Sequence, residues 1–235
     1  MKLFLVLLHL LSTVTITGSV KTDKNLTENQ RFAVEYFKEV ALGFEFGNAS
    51  KVTRKWGDDV NIYLMGEPTN VLLRELDDII DDLNRLIPST GPELRIVANS
   101  ANSNFILYMG TGEGYAEIDG NAKNLVASNY GLFFVNFNRR NFITSATMYV
   151  DTERGSEINQ RHLLREELTQ ALGFARDSGR FSDSIFQESY SGTATDYNQF
   201  DEAVIRMLYH PEMQTGLNAA GVDPILREIV QELIE

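Results

Sequence analysis

The chain has 235 residues, 43% of them hydrophobic, which is enough apolar material for one domain of good size with a real core. Its formal charge of −12 at pH 7 argues against nucleic acid as a partner, because polyphosphate binding needs clustered Lys and Arg, and it disfavours an anionic membrane surface. It has no Cys, which removes disulfides, thiolate zinc sites and Cys nucleophiles from consideration.

Met1 to Ser19 reads as a secretory signal: Lys2 is the positive start, Leu3 to Leu11 the apolar run, and Thr17-Gly18-Ser19 the small-residue cleavage region. The mature chain, residues 20–235, is then an exported single domain. No later segment is apolar over the length that spans a bilayer. Asn25-Leu26-Thr27 and Asn48-Ala49-Ser50 are glycosylation triplets if the host is a eukaryote.

Periodicity predicts a helix from Glu28 to about Leu42, ended by Gly43 and Gly47. Trp56, the only tryptophan, is expected to pack rather than to carry a ligand. A strand over Val60–Met65 precedes a regular helix, Asn70 to Leu86. Leu72, Leu73, Leu76, Ile79, Ile80 and Leu83 form its stripe, and Asp77, Asp78, Asp81 and Asp82 its wet side. Those four aspartates read as a solvated face, since calcium sites need irregular backbone with converging ligands.

Leu94–Ala98 and Phe105–Met109 are the next expected strands. The Gly-Thr-Gly-Glu-Gly turn at 110–114 is not a phosphate loop, as no Lys-Ser/Thr follows and no helix is expected to open there. Strands over Gly131–Phe137 and Ile143–Val150 lead to a helix capped by Ser156 and running to about Leu172, with Gly173 near its exit. Shorter helices are expected over Phe200–Tyr209, closed by Pro211, and from Pro224 to the end.

The Ser156 helix carries the chemistry. Its stretch Arg165-Glu166-Glu167-Leu168-Thr169-Gln170-Ala171-Leu172-Gly173 is similar to a zincin His-Glu-x-x-His helix in which both histidines are exchanged. Glu166 and Gln170 occupy the ligand positions, and Glu167 keeps the place of the general base. Four-residue steps align His162, Glu166 and Gln170 on one side, expected to be wet, while Leu164, Leu168, Ala171 and Leu172 form the buried stripe. Glu167 falls at the core margin. Glu166 and Glu167 point about 100° apart and so do not converge as an acid/base pair.

Two resemblances follow from these residues. The helix resembles that of metzincin metallopeptidases at Glu167 and Gly173, and departs from it where Glu166, Gln170 and Arg176 stand for histidines. A closer resemblance is to a domain of unknown function found in mostly bacterial exported proteins. It rests on Val40 to Gly47 with Trp56, Glu166 to Gly173, Asp177-Ser178, Ser184-Ile185-Phe186, Asp201, and Leu208 to Leu217. Together these resemblances imply an α+β, zincin-like fold: a twisted mixed sheet backed by helices, with the motif helix beneath a shallow cleft.

The functional expectation is a secreted metallopeptidase-related domain with a degenerate motif. Glu167 would activate water, while His162, Glu166 and Gln170 would hold a divalent metal. Oxygen donors at 166 and 170 suit calcium, magnesium or manganese better than zinc. A set of His162, Glu166 and His210 would require the Tyr209–Pro211 turn to fold over the helix. The alternative is a non-catalytic extracellular module that binds a peptide or glycan. A plainer reading makes His162, Glu166 and Gln170 the solvent side of an amphipathic helix.

Overall fold

The computed structural model describes residues 26–44, 49–188 and 193–235. The signal segment, Asn25 and Asn48 lie outside the described residues.

Six strands make one sheet: β1 (Lys55–Trp56), β2 (Val60–Gly66), β3 (Leu94–Ile96), β4 (Phe105–Gly110), β5 (Gly131–Phe137) and β6 (Phe142–Asp151). Along one side β6 takes both β4 and the short β1 in parallel, and along the other it takes β5 in antiparallel register. β2 continues the sheet from β4 and β3 ends it, again in parallel. The sheet is therefore mixed, as expected, with β5 at one edge and β6 inside it.

Local signals set most helix starts. In α1 (Glu28–Ala41), Thr27 and Gln30 form a capping box. Thr69 caps α2 (Asn70–Leu86), Ser156 with Asn159 caps α4 (Glu157–Gln170), and Asn198 with Asp201 caps α5 (Gln199–Tyr209). Two starts differ from expectation. Thr111 accepts a bond from the Gly114 amide and opens a seven-residue helix, α3 (Gly112–Ile118). Burial of Tyr115 and Ala116 there outweighs the weak helix propensity of glycine. The last helix, α6 (Ala219–Leu233), starts ahead of Pro224 because Asn218 caps it. Strand β3 also stops at Ile96, short of the expected Ala98.

Alternation along the strands divides the core in two. Phe105, Leu107, Met109, Ala146, Met148 and Val150 face the layer of α1, α2, α4, α5 and α6. Leu132 and Tyr149 face the other way, against Tyr115, Ala116, Ala122 and Val126. Tyr115 stacks on Tyr149 with ring centroids 4.7 Å apart. Trp56 is 1% exposed, donates Nε1–H to the Ala171 carbonyl at 3.0 Å and stacks on Phe105, so it packs and does not present a platform.

Candidate functional site

From Leu164 to Gln170 every residue of helix α4 is buried. His162, Glu166 and Gln170 are 3%, 8% and 7% exposed, and Glu167 is 9% exposed. The expected wet side is therefore a correction: the sheet and core take one flank of α4, and the segment following the helix takes the other. His162 meets the carbonyl of Ala194, Gln170 meets Asp177, and Thr169 meets the Tyr197 hydroxyl. Where a shallow cleft was expected, Asp177, Ala194 and Tyr197 lie against these side chains. Two open cavities lie elsewhere, at the β5–β6 turn by Asn138 and Phe142 and at the start of α6 by Asn218 and Ala219.

Within the row, His162 Nδ1 lies 2.7 Å from the Ala194 oxygen and Nε2 lies 3.3 Å from Glu166 Oε2. Burial disfavours a charged ring, but the Glu166 hydrogen bond and charge, with the Ala194 carbonyl, outweigh it and raise the His162 pKa. Both ring nitrogens of His162 thus already have protein partners, the Ala194 oxygen and the Glu166 carboxylate. Gln170 Nε2 donates to Asp177 Oδ1 at 2.5 Å, which ties the turn after the helix to its last residue.

The remaining candidates do not join the row. Arg176 lies beside Lys51 at the start of α6. His210 ends α5, where its Nδ1 accepts from the Glu212 amide at 3.3 Å. Among the described residues no three His, Asp or Glu side chains come together in a group able to hold a metal ion. As arranged, His162, Glu166 and Gln170 do not fit zinc.

Glu167 points elsewhere, under the first residue of edge strand β5. A Cβ on Gly131 would lie 2.6 Å from Glu167 Oε1, so the carboxylate occupies the space that a side chain at 131 would need. Two tyrosines lie within reach of its charge. Burial raises the Tyr149 hydroxyl to about 12, and Asp151 and Glu167 add to that rise against the lowering effect of Arg154. Tyr115 is raised by burial first, with Asp119 and Glu167 adding to it. The acid and the polar row thus serve different neighbourhoods of one helix.

Residues 30–228 match the family described as protein of unknown function (DUF2927). The chain belongs to that family. Two solved structures of myroilysin are similar to it. One has a TM-score of 0.40 at 11% identity, covering 77% of this chain and 86% of that one. The other has a TM-score of 0.42 at 11% identity, covering 74% and 93%. No curated protein matches the sequence at a significant level.

In this DUF2927 chain the strongest polar assembly around α4 is one that sequence reading passed over. Arg165, 2% exposed, donates Nη2 to Glu75 Oε1 at 3.1 Å and Nη1 to Asp82 Oδ2 at 2.9 Å, and its guanidinium lies 4.8 Å from the Tyr197 ring centroid. Arg161 reaches the other Glu75 oxygen at 2.7 Å. Asp82 is thus no free member of a wet quartet; it also bonds Arg85. The available signal was Glu75 itself, an acid set inside the apolar spacing of Leu72, Leu76 and Ile79.

The C-terminal end of α4 is built by the pieces that carried the family resemblance. Gly173 has φ +128°, and the Arg54 carbonyl occupies the space where its Cβ would stand. Tyr209 donates its hydroxyl to the Leu172 carbonyl at 2.8 Å. Asp201 is fully buried, accepting from Ser184 Oγ at 2.7 Å, Tyr36 Oη at 3.0 Å and the amides of Ile185 and Asn198. Those motifs do structural work that anchors the segment covering α4.

Proposed function

We propose that the chain is a non-catalytic extracellular binding module on a metallopeptidase-type scaffold, its partner a peptide or glycan. The observation that carries this is the engagement of the former ligand positions: the two ring nitrogens of His162 lie against the Ala194 oxygen and Glu166, and Gln170 donates to Asp177. The scaffold reading rests on the Glu167 and Gly173 correspondence and on a motif helix packed against a mixed sheet with an antiparallel edge strand. Export rests on Lys2 and the apolar run Leu3 to Leu11.

The zincin mechanism requires a Lewis acid beside the general base, and His162, Glu166 and Gln170, turned to protein partners and apart from Glu167, are not arranged to hold one there. Its place beneath Gly131 makes it a packing carboxylate. Metal analysis of the protein purified without a histidine tag tests the reading. Zinc well below one equivalent is expected, with no chelator-sensitive cleavage of a mixed peptide library. Stoichiometric metal, together with hydrolysis that Glu167→Gln abolishes while the fold is retained, overturns it.

A further inference from the structure

The two ends of the sheet are defended very differently. At one end β3 is only three residues long, and its exposed Arg95 is paired with Asp59 at 3.1 Å and Glu93 at 3.6 Å. Shortness and charge are the usual means of keeping a sheet edge from pairing with another chain. At the other end β5 runs seven residues, Gly131-Leu132-Phe133-Phe134-Val135-Asn136-Phe137, with no charge and no proline. Among the described residues its backbone pairs only with β6.

Register decides which groups are open. The Asp151 amide donates to the Tyr130 carbonyl at 2.7 Å, and Leu132 lies opposite Tyr149. In an antiparallel ladder hydrogen-bonded pairs alternate with non-bonded ones, so the even positions turn their N–H and C=O to β6. Gly131, Phe133 and Val135 turn theirs outward. At the two ends of this edge Tyr130 and Phe137 are 42% and 41% exposed, Tyr130 with the Arg154 guanidinium over one face and Phe137 against Arg54 and Phe44.

We propose that β5 pairs along this edge with β5 of a second copy of the chain, antiparallel, so that two sheets run on as one. A two-fold axis at Phe133 sets 133 against 133, and 131 against 135, so the outward groups of each copy meet their complements. Charge favours the same arrangement. Beyond the end of β5 stand Arg139 and Arg140, both exposed, and neither has an ion pair among the described residues. Beside its start, the turn carrying Glu153 and Glu157 is exposed and packs against Tyr130 through Gly155. Antiparallel pairing brings the basic end of one copy to the acidic turn of the other. Parallel pairing would set like charges together. Self-complementarity of this kind is what a closed two-fold dimer needs.

Sedimentation velocity of the full chain over a range of concentrations tests this, together with backbone amide exchange. A monomer–dimer equilibrium is expected, with the amides of Gly131, Phe133 and Val135 protected only in concentrated protein. Phe133→Pro removes one outward donor and should abolish the dimer. Reversal of the surface charges Arg139→Glu and Arg140→Glu should weaken association about tenfold or more, and adding Glu153→Arg and Glu157→Arg should restore it. A chain that stays monomeric up to its solubility limit overturns the proposal, as does a dimer indifferent to the charge reversals. A monomer whose β5 amides become protected on adding an extended peptide also overturns it, and assigns the edge to that ligand.

Discussion

Gly131 and Glu167 share one volume: a Cβ on the glycine would stand 2.6 Å from Oε1 and 2.9 Å from Cγ of the glutamate. Neither atom can move far, because Glu167 is 9% exposed and the strand is held by β6. Gly131→Ala should therefore cost about 1–3 kcal/mol as overpacking. In the double variant with Glu167→Ala the clash disappears. Urea denaturation of the four proteins is expected to give a non-additive cycle with coupling of roughly 0.5–3 kcal/mol. Additive effects would mean that the carboxylate swings away without cost.

His162 and Glu166 make a pair whose strength depends on pH. The folded-state pKa of His162 is raised above 6.5, so the ring contributes stability that is fully present below that value and is lost as pH rises through the folded pKa. Glu166→Gln removes the charge that holds the proton. The stability advantage of the native protein over this variant should be largest at acidic pH and shrink through the neutral-to-alkaline range. An NMR titration should show the His162 pKa falling in the variant.

Asp201 gives up its proton at a higher pH than an ordinary surface aspartate. Burial raises its pKa from 3.8 to about 6, against the lowering effect of Ser184, Ile185, Tyr36 and Asn198. Since the fold favours the protonated form, the contribution is fully present below 3.8 and is lost as pH climbs to about 6. That loss is roughly 3 kcal/mol for a shift of this size. Asp201→Asn should remove this slope from a plot of unfolding free energy against pH, even where the variant is less stable throughout.

Arg165 ties α4 to α2 through Glu75 and Asp82. Arg165→Ala would leave Glu75, 2% exposed, short of its main partner, and breaking such a pair from one side costs about 3–5 kcal/mol. Arg165→Met with Glu75→Leu keeps the volume and removes both charges, and should recover most of that loss. A thermal melt of the two variants checks the order.

Much of the fold was legible because it is written locally. Thr69 and the spacing of Leu72, Leu76, Ile79 and Leu83 are enough to bound α2 at Asn70 and Leu86, and β5 falls where its apolar run lies. Cap residues and periodicity act within a turn or two, so the chain reports them directly. α3 escaped that reading because the burial of Tyr115 against Tyr149, a distant strand residue, overrides the glycines around it.

The motif helix marks the boundary between the two kinds of knowledge. Its sequence alone set the helical phase, placing His162, Glu166 and Gln170 in line and turning Glu167 aside. Whether that line met water was not a property of the helix. The Ala194 carbonyl that caps His162 stands 32 residues away, and Glu75, which pairs with Arg165, stands 90 residues away. Partners at such separations leave no periodic trace, because only the packing of whole elements brings them together. The local code thus decided which atoms the helix offers, and tertiary contact decided that they are spent on neighbouring protein groups.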